Sequence, residues 1–198
     1  MISNKSSLAE SVGTVNILLQ EIVNYIKINP DNYEKFKYKI KVPTGIIRNV
    51  YYDLWPEFKF LKTEALIKNI SYLFIQSDFY LWLLNRTSII GTLREMIIKS
   101  GIHAMASIAE SLVNKYATNK SKSFDKQVNN IRTRGLIDDK LKNDLKWLWE
   151  IREGIHLELL KTSELSKYKK LQYERAIKII GELTQQLRNK TKIESKKF

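Results

Sequence analysis

From Leu8 to Ile28 the apolar residues Leu8, Val12, Val15, Leu18, Leu19, Ile22, Val23 and Ile26 recur three and four apart, which puts them on one side of an α-helix. Pro30 follows its end. The period then changes. Phe36, Tyr38, Ile40 and Val42 alternate with Lys35, Lys37, Lys39 and Lys41, the pattern of a strand with one apolar and one basic face, closed by the turn residues Pro43 and Gly45. Aromatics and lysines on opposite faces suit a half-buried edge strand, whose lysines discourage edge pairing, better than a surface that stacks nucleic-acid bases. Residues 46–60 are aromatic-rich and interrupted by Pro56, and fit either a second strand or a short helix.

The rest of the pattern is helical. Leu61 to Leu84 is apolar nearly all round, which predicts burial on more than one side, with a break near Ser77 and Asp78 where either residue could cap a new helix. Thr87 or Ser88 can cap the next helix, running to about Ala117 with Ile90, Leu93, Ile97, Ile98, Ile102, Met105, Ile108, Ala109 and Leu112 inward. After the polar stretch ATNKSKS, a shorter helix from Phe124 to Arg134 stops at Gly135. Asp138 then caps a helix read from Leu141 to Leu160, and Tyr168, Leu171, Ala176, Ile179, Ile180, Leu183 and Leu187 mark a final amphipathic helix before a basic tail. The expected fold class is all-α with one short β-strand or hairpin, divided into an N-terminal helix plus basic strand-like segment at 1–60 and a helical bundle at 61–198.

Composition agrees with long helices joined by short turns, since there are only 7 glycines and 3 prolines in 198 residues. With no cysteine and two histidines, disulfides and cysteine- or histidine-rich metal cages are excluded, so neither a metal nor another cofactor is expected. The first residues lack the apolar core of a signal peptide, and no apolar run reaches the roughly 18–20 residues of a membrane span, which points to a cytoplasmic protein without a membrane partner. The net charge of +13 makes an anionic partner natural. It is uneven, with +4 in residues 1–117 and +9 in residues 118–198.

The basic half contains the one constellation that suggests chemistry. In LKNDLKWLWEIREGIHLELL, Leu141, Leu145, Leu148, Trp149, Ile155, His156 and Leu159 fall within roughly 60° of Arg152 on a helical projection. A guanidinium inside an apolar stripe must meet a carboxylate, a second subunit or a phosphate, because burying it unpaired costs several kcal/mol. Arg152 and His156, four apart on one helical face, could engage a single ligand. For RNA cleavage the histidine can move a proton at the 2′-hydroxyl or the leaving oxygen while the arginine stabilises charge on the phosphorane. A two-fold dimer would bring two such pairs into one cleft. The plainer alternative is a structural ion pair between Arg152 and Glu110, Glu95 or Asp144. Lys99 and His103 repeat the cation-histidine spacing on an interior helix as a weaker second pair. Trp147 and Trp149 are read as packing residues. No glycine-rich phosphate loop, GxSxG elbow or HExxH occurs.

From Ser88 to Lys190 the order of features is a long helix, a polar linker, a short helix with Phe124 and Ile131, Gly135-Leu136-Ile137, a helix ending in IREGIHLEL, and a final amphipathic helix. This order resembles the HEPN superfamily, helical domains of bacterial toxins, defence systems and RNA-processing proteins. The resemblance covers about half the chain, and its specific motif is the Arg…His pair. It implies a four-helix up-down bundle with the N-terminal helix as an arm, and a homodimer through the motif face. It also implies metal-independent endoribonuclease activity with Arg152 and His156 catalytic, RNA as ligand, and an antitoxin or defence-system protein as partner; Glu153 and Glu110 are the candidate supporting residues beside the pair. Two features depart from the family pattern. Only three residues separate Arg152 from His156, fewer than is usual, and Glu153 stands where Asn or another polar group is commoner. Some relatives are inactive, so a non-catalytic interaction module binding protein or nucleic acid is the alternative function.

Overall fold

The computed structural model describes residues 2–29, 54–119, 123–154 and 167–194, and all its secondary structure among these is helical. The chain divides into two compact units, Met1–Pro43 and Thr44–Phe198. The expected strand at 36–42 lies outside the described residues, as do residues 46–53.

In the first unit, α1 (Lys5–Ile28) begins at a reciprocal cap: the Ser7 amide donates to Asn4 Oδ1 at 2.9 Å and the Asn4 amide donates to Ser7 Oγ at 3.1 Å. None of its residues is buried.

The larger unit opens with α2 (Trp55–Phe58) and a 3-10 turn at Lys59–Leu61, so the ambiguous aromatic stretch is helical where it is described. Leu54, Phe58 and Leu61 are buried in the same core as the long helices. The long helices are α3 (Glu64–Arg86), α4 (Gly91–Tyr116), α5 (Phe124–Thr133), α6 (Asp139–Glu153) and α7 (Lys170–Glu194). α4 is central, packing against α3, α5, α6 and α7. Among the described residues α4 is also the one helix long and apolar enough to cross a membrane, but 61% of its most apolar window is buried inside the bundle.

Three sequence expectations need correction. First, α3 does not break at Ser77 and Asp78. Ser77 is buried and its hydroxyl lies 2.6 Å from the Tyr173 hydroxyl of α7, so it serves an interhelical bond instead of capping a new helix. Tyr173 also donates to the Ser77 carbonyl at 3.1 Å, which leaves the serine proton for the tyrosine oxygen. Gly101 of α4 makes room for this clasp, since a Cβ there would overlap the Tyr173 ring. Second, α4 starts at Gly91 with Ile90 as its N-cap, two residues beyond the nearer expected cap, because Thr87 is used to close α3: its hydroxyl donates to the Leu83 carbonyl at 2.6 Å. Ile90 and Leu93, expected inside, are 80% and 61% exposed. Third, Leu171 lies outside the core at 77% exposure, while Tyr173 fills the fully buried position.

The corner between α5 and α6 follows its sequence signals. Gly135 adopts φ +70°, and the Leu136 amide reaches back to the Ile131 carbonyl at 3.0 Å, the closing pattern of a glycine-stopped helix. Asp138 then caps α6 by accepting from the Leu141 amide at 2.7 Å. Arg132 grips Asp139 through two bonds of 2.7 Å across the corner. α6 is fastened to α7 by Asp144, which accepts from Arg175 at 2.7 Å and from Lys140 at 3.1 Å, with Lys140 also on Glu182 at 2.7 Å. Burial would raise the Asp144 carboxyl, but the bonds from Arg175 and Lys140 outweigh it and hold it below the usual carboxylate range. Asp139 is likewise lowered, by its bond to Arg132.

Two outcomes follow for stability. Gly101→Ala should destabilise the bundle by about 1–3 kcal/mol through overpacking against Tyr173, and Tyr173→Phe by about 1–3 kcal/mol through the unsatisfied Ser77 hydroxyl, both read by urea denaturation. Because Asp144 and Asp139 are depressed in the folded state, their stabilisation is complete above the unfolded carboxylate pKa of about 3.9 and is lost as pH falls through the folded values. Melting temperatures measured down an acid series should drop over that window, and less steeply in Asp144→Asn, which has already lost its share.

Candidate functional site

The candidate arginine occupies the last turn of α6. That helix ends at Glu153, with Gly154 as its C-cap donating to the Glu150 and Arg152 carbonyls, whereas the sequence reading carried the helix through to Leu160. Glycine is a weak helix former, and the chain uses it here as a stop. Residues 155–166, His156 among them, lie outside the described residues. A cation in the last turn meets the negative end of the helix dipole, which favours Arg152 where it stands.

Two groups hold the guanidinium. Its carbon lies 4.4 Å from the centroid of the Trp149 ring, one turn back on α6, a cation–π contact. Arg152 Nη2 is also 3.5 Å from Glu110 Oε2 on α4, at the outer limit of a hydrogen bond. The arginine side chain is 23% exposed and the glutamate 45%, so the ion pair is loose and partly hydrated. Of the three carboxylates considered from sequence, Glu110 is the one this contact selects; Asp144 is engaged by Arg175 and Lys140.

Trp149 is the element that positions the site. Its ring stacks on Phe124 of α5 with centroids 4.2 Å apart and planes 14° from parallel, and its indole N–H donates to Glu153 Oε1 at 2.8 Å. Glu153 is thus turned to the indole, and the supporting carboxylate on Arg152 itself is Glu110. Trp147 faces the other helix pair, with the Arg175 guanidinium 3.9 Å from its ring. Both tryptophans pack, and both also carry an arginine. The signal in the sequence was the Trp–x–x–Arg spacing on a helix, which places an indole beside a cation.

Tyr168 is a neighbour that periodicity assigned only to the core. Its hydroxyl donates to the Gly154 carbonyl at 3.4 Å, and Lys99 of α4 lies 5.9 Å from its ring centroid. The weaker sequence pair, Lys99 and His103, lines a groove of about 530 Å³ between α3 and α4, floored by Leu73, Met96 and Ala104 and edged by Gln76, Tyr80, Ser100 and Ser107. Among the described residues no group of three or more metal-ligating side chains converges.

Replacing Trp149 tests its role as positioning residue. Trp149→Ala should cost about 2–4 kcal/mol of stability, toward the lower part of the range for large aromatics because the ring is only half-buried, and the loss should be visible in urea denaturation. Comparison with family models, with curated proteins and with solved structures gave no match.

Proposed function

We propose that this chain is an RNA-binding protein on a HEPN-like bundle, acting as a metal-independent endoribonuclease of a bacterial toxin or defence system. In this reading Arg152 binds the scissile phosphate and His156 serves as general acid or base, in a homodimer through the motif face. The observation that carries it is the state of Arg152: steered by Trp149, yet tied to Glu110 only by a 3.5 Å contact that a phosphate could replace. A charge of +9 over residues 118–198 supports an anionic ligand. Glu110 then works as a stand-in for phosphate, neutralising the arginine until RNA arrives.

A second reading, a non-catalytic interaction module, is favoured by the same Glu110 contact, since an arginine already paired has less need of a ligand. It predicts salt-sensitive RNA binding without turnover.

The two part on variants of the full chain. Under the nuclease reading, Arg152→Ala and His156→Ala should each lower RNA cleavage by at least about 100-fold, the size of a lost acid–base or charge-stabilising group, while the chain still folds cooperatively. Glu110→Gln should tighten RNA binding by releasing Arg152. Cleavage by His156→Ala equal to that of the parent chain would remove the catalytic role, and RNA binding that ignores both salt and Arg152 would remove the RNA reading.

A further inference from the structure

The apolar side of α1 is exposed along its length. Leu8, Val12, Val15, Leu19 and Ile22 are between 36% and 53% exposed, and no residue of the helix is buried. An apolar stripe of this extent is uncommon on a lone chain and marks a contact surface.

Three observations indicate what covers it. The first is spacing. Leu8, Val12, Val15, Leu19, Ile22 and Ile26 alternate four and three apart without interruption, the spacing of the two seam positions of a heptad. That repeat keeps one seam facing another helix as the two supercoil, with Val, Leu and Ile at the seam positions. The second is charge. α1 carries Lys5, Lys27, Glu10 and Glu21, which cancel, so it lacks the basic face of a helix that lies on anionic lipid. The third is area. The seam together with Leu18 and Tyr25 offers on the order of 500 Å² per helix, so two helices bury about 1,000 Å², the threshold of a specific interface.

We propose that α1 pairs antiparallel with α1 of a second copy of this chain, forming a homodimer seam separate from the Arg152 face. Orientation follows from charge and size. Lys5 precedes Val12 by one heptad and Asn29 follows Ile22 by one, so both extend the seam. A parallel pair would set Lys5 against Lys5. The antiparallel pair sets Lys5 against Asn29, Leu8 against Ile26, Val12 against Ile22 and Val15 against Leu19, each layer matching a smaller with a larger side chain or two of like size. Residues 44–198 carry a net charge of +11, and the antiparallel pair separates the two chain exits by about 36 Å, the length of a 24-residue helix and several times the Debye length at physiological salt.

Sedimentation of the full chain at micromolar concentration should give a multiple of the 23.3 kDa chain mass, and Leu19→Asp/Ile22→Asp should halve that mass with an unchanged bundle melt. The chain has no cysteine, so orientation can be read directly: Leu8→Cys/Ile26→Cys should form interchain disulfides under mild oxidation, and Leu8→Cys alone should not. A single-chain mass for the parent, or an assembly mass that the double aspartate leaves unchanged, would overturn the proposal. Cross-linking by Leu8→Cys alone would overturn the orientation, and a monomer that binds phosphatidylserine vesicles through α1 would replace the partner with a lipid surface.

Discussion

The bundle depends on a tyrosine driven through a notch. Tyr173 leaves α7, crosses the surface of α4 where Gly101 has no side chain, and ends on Ser77 of α3. One fully buried ring thereby sets the approach of α7 to α4 and satisfies polar groups on α3 that the core would otherwise strand. Around this fixed point α4 can be apolar on several sides, because every long helix of the larger unit lies against it. The acidic and basic residues of α6 and α7 then complete the outer wall through Asp144, Arg175, Lys140 and Glu182.

Much of this was legible from periodicity. The all-α character, the glycine stop at Gly135, the cap at Asp138 and most of the inward faces of α4 and α7 follow from spacing and cap chemistry that act within a few residues. The errors lie where distant partners decide. Ser77 looks like a cap until Tyr173 is brought to it from 96 residues away. Leu93 and Leu171 have the right spacing for the core but lie where no helix among the described residues covers them. Periodicity reports a face, and tertiary packing decides how far along the helix that face is used.

The candidate site was legible in part for the same reason. Arg152 was found because a guanidinium on an apolar stripe needs a partner, and the structure supplies Trp149 and Glu110. Glu110 could be named from sequence only as one of three carboxylates, since its choice depends on how α4 meets α6. The i, i+4 geometry of Arg152 and His156 presumes a helix that continues past Gly154, the C-cap of α6, and His156 lies outside the described residues. Their cooperation rests on the path of the chain beyond the cap, which the helical projection did not address.

The α5–α6 corner carries a further meaning when viewed as chain entropy. The Arg132–Asp139 grip closes a loop of only 7 residues, whereas the Tyr173–Ser77 clasp spans 96. By the logarithmic dependence of loop closure on length, the longer contact costs about 2 kcal/mol more to bring together. The α5–α6 corner is thus one of the more locally determined parts of the bundle, whereas the clasp of α7 on α3 depends on elements far apart in the sequence.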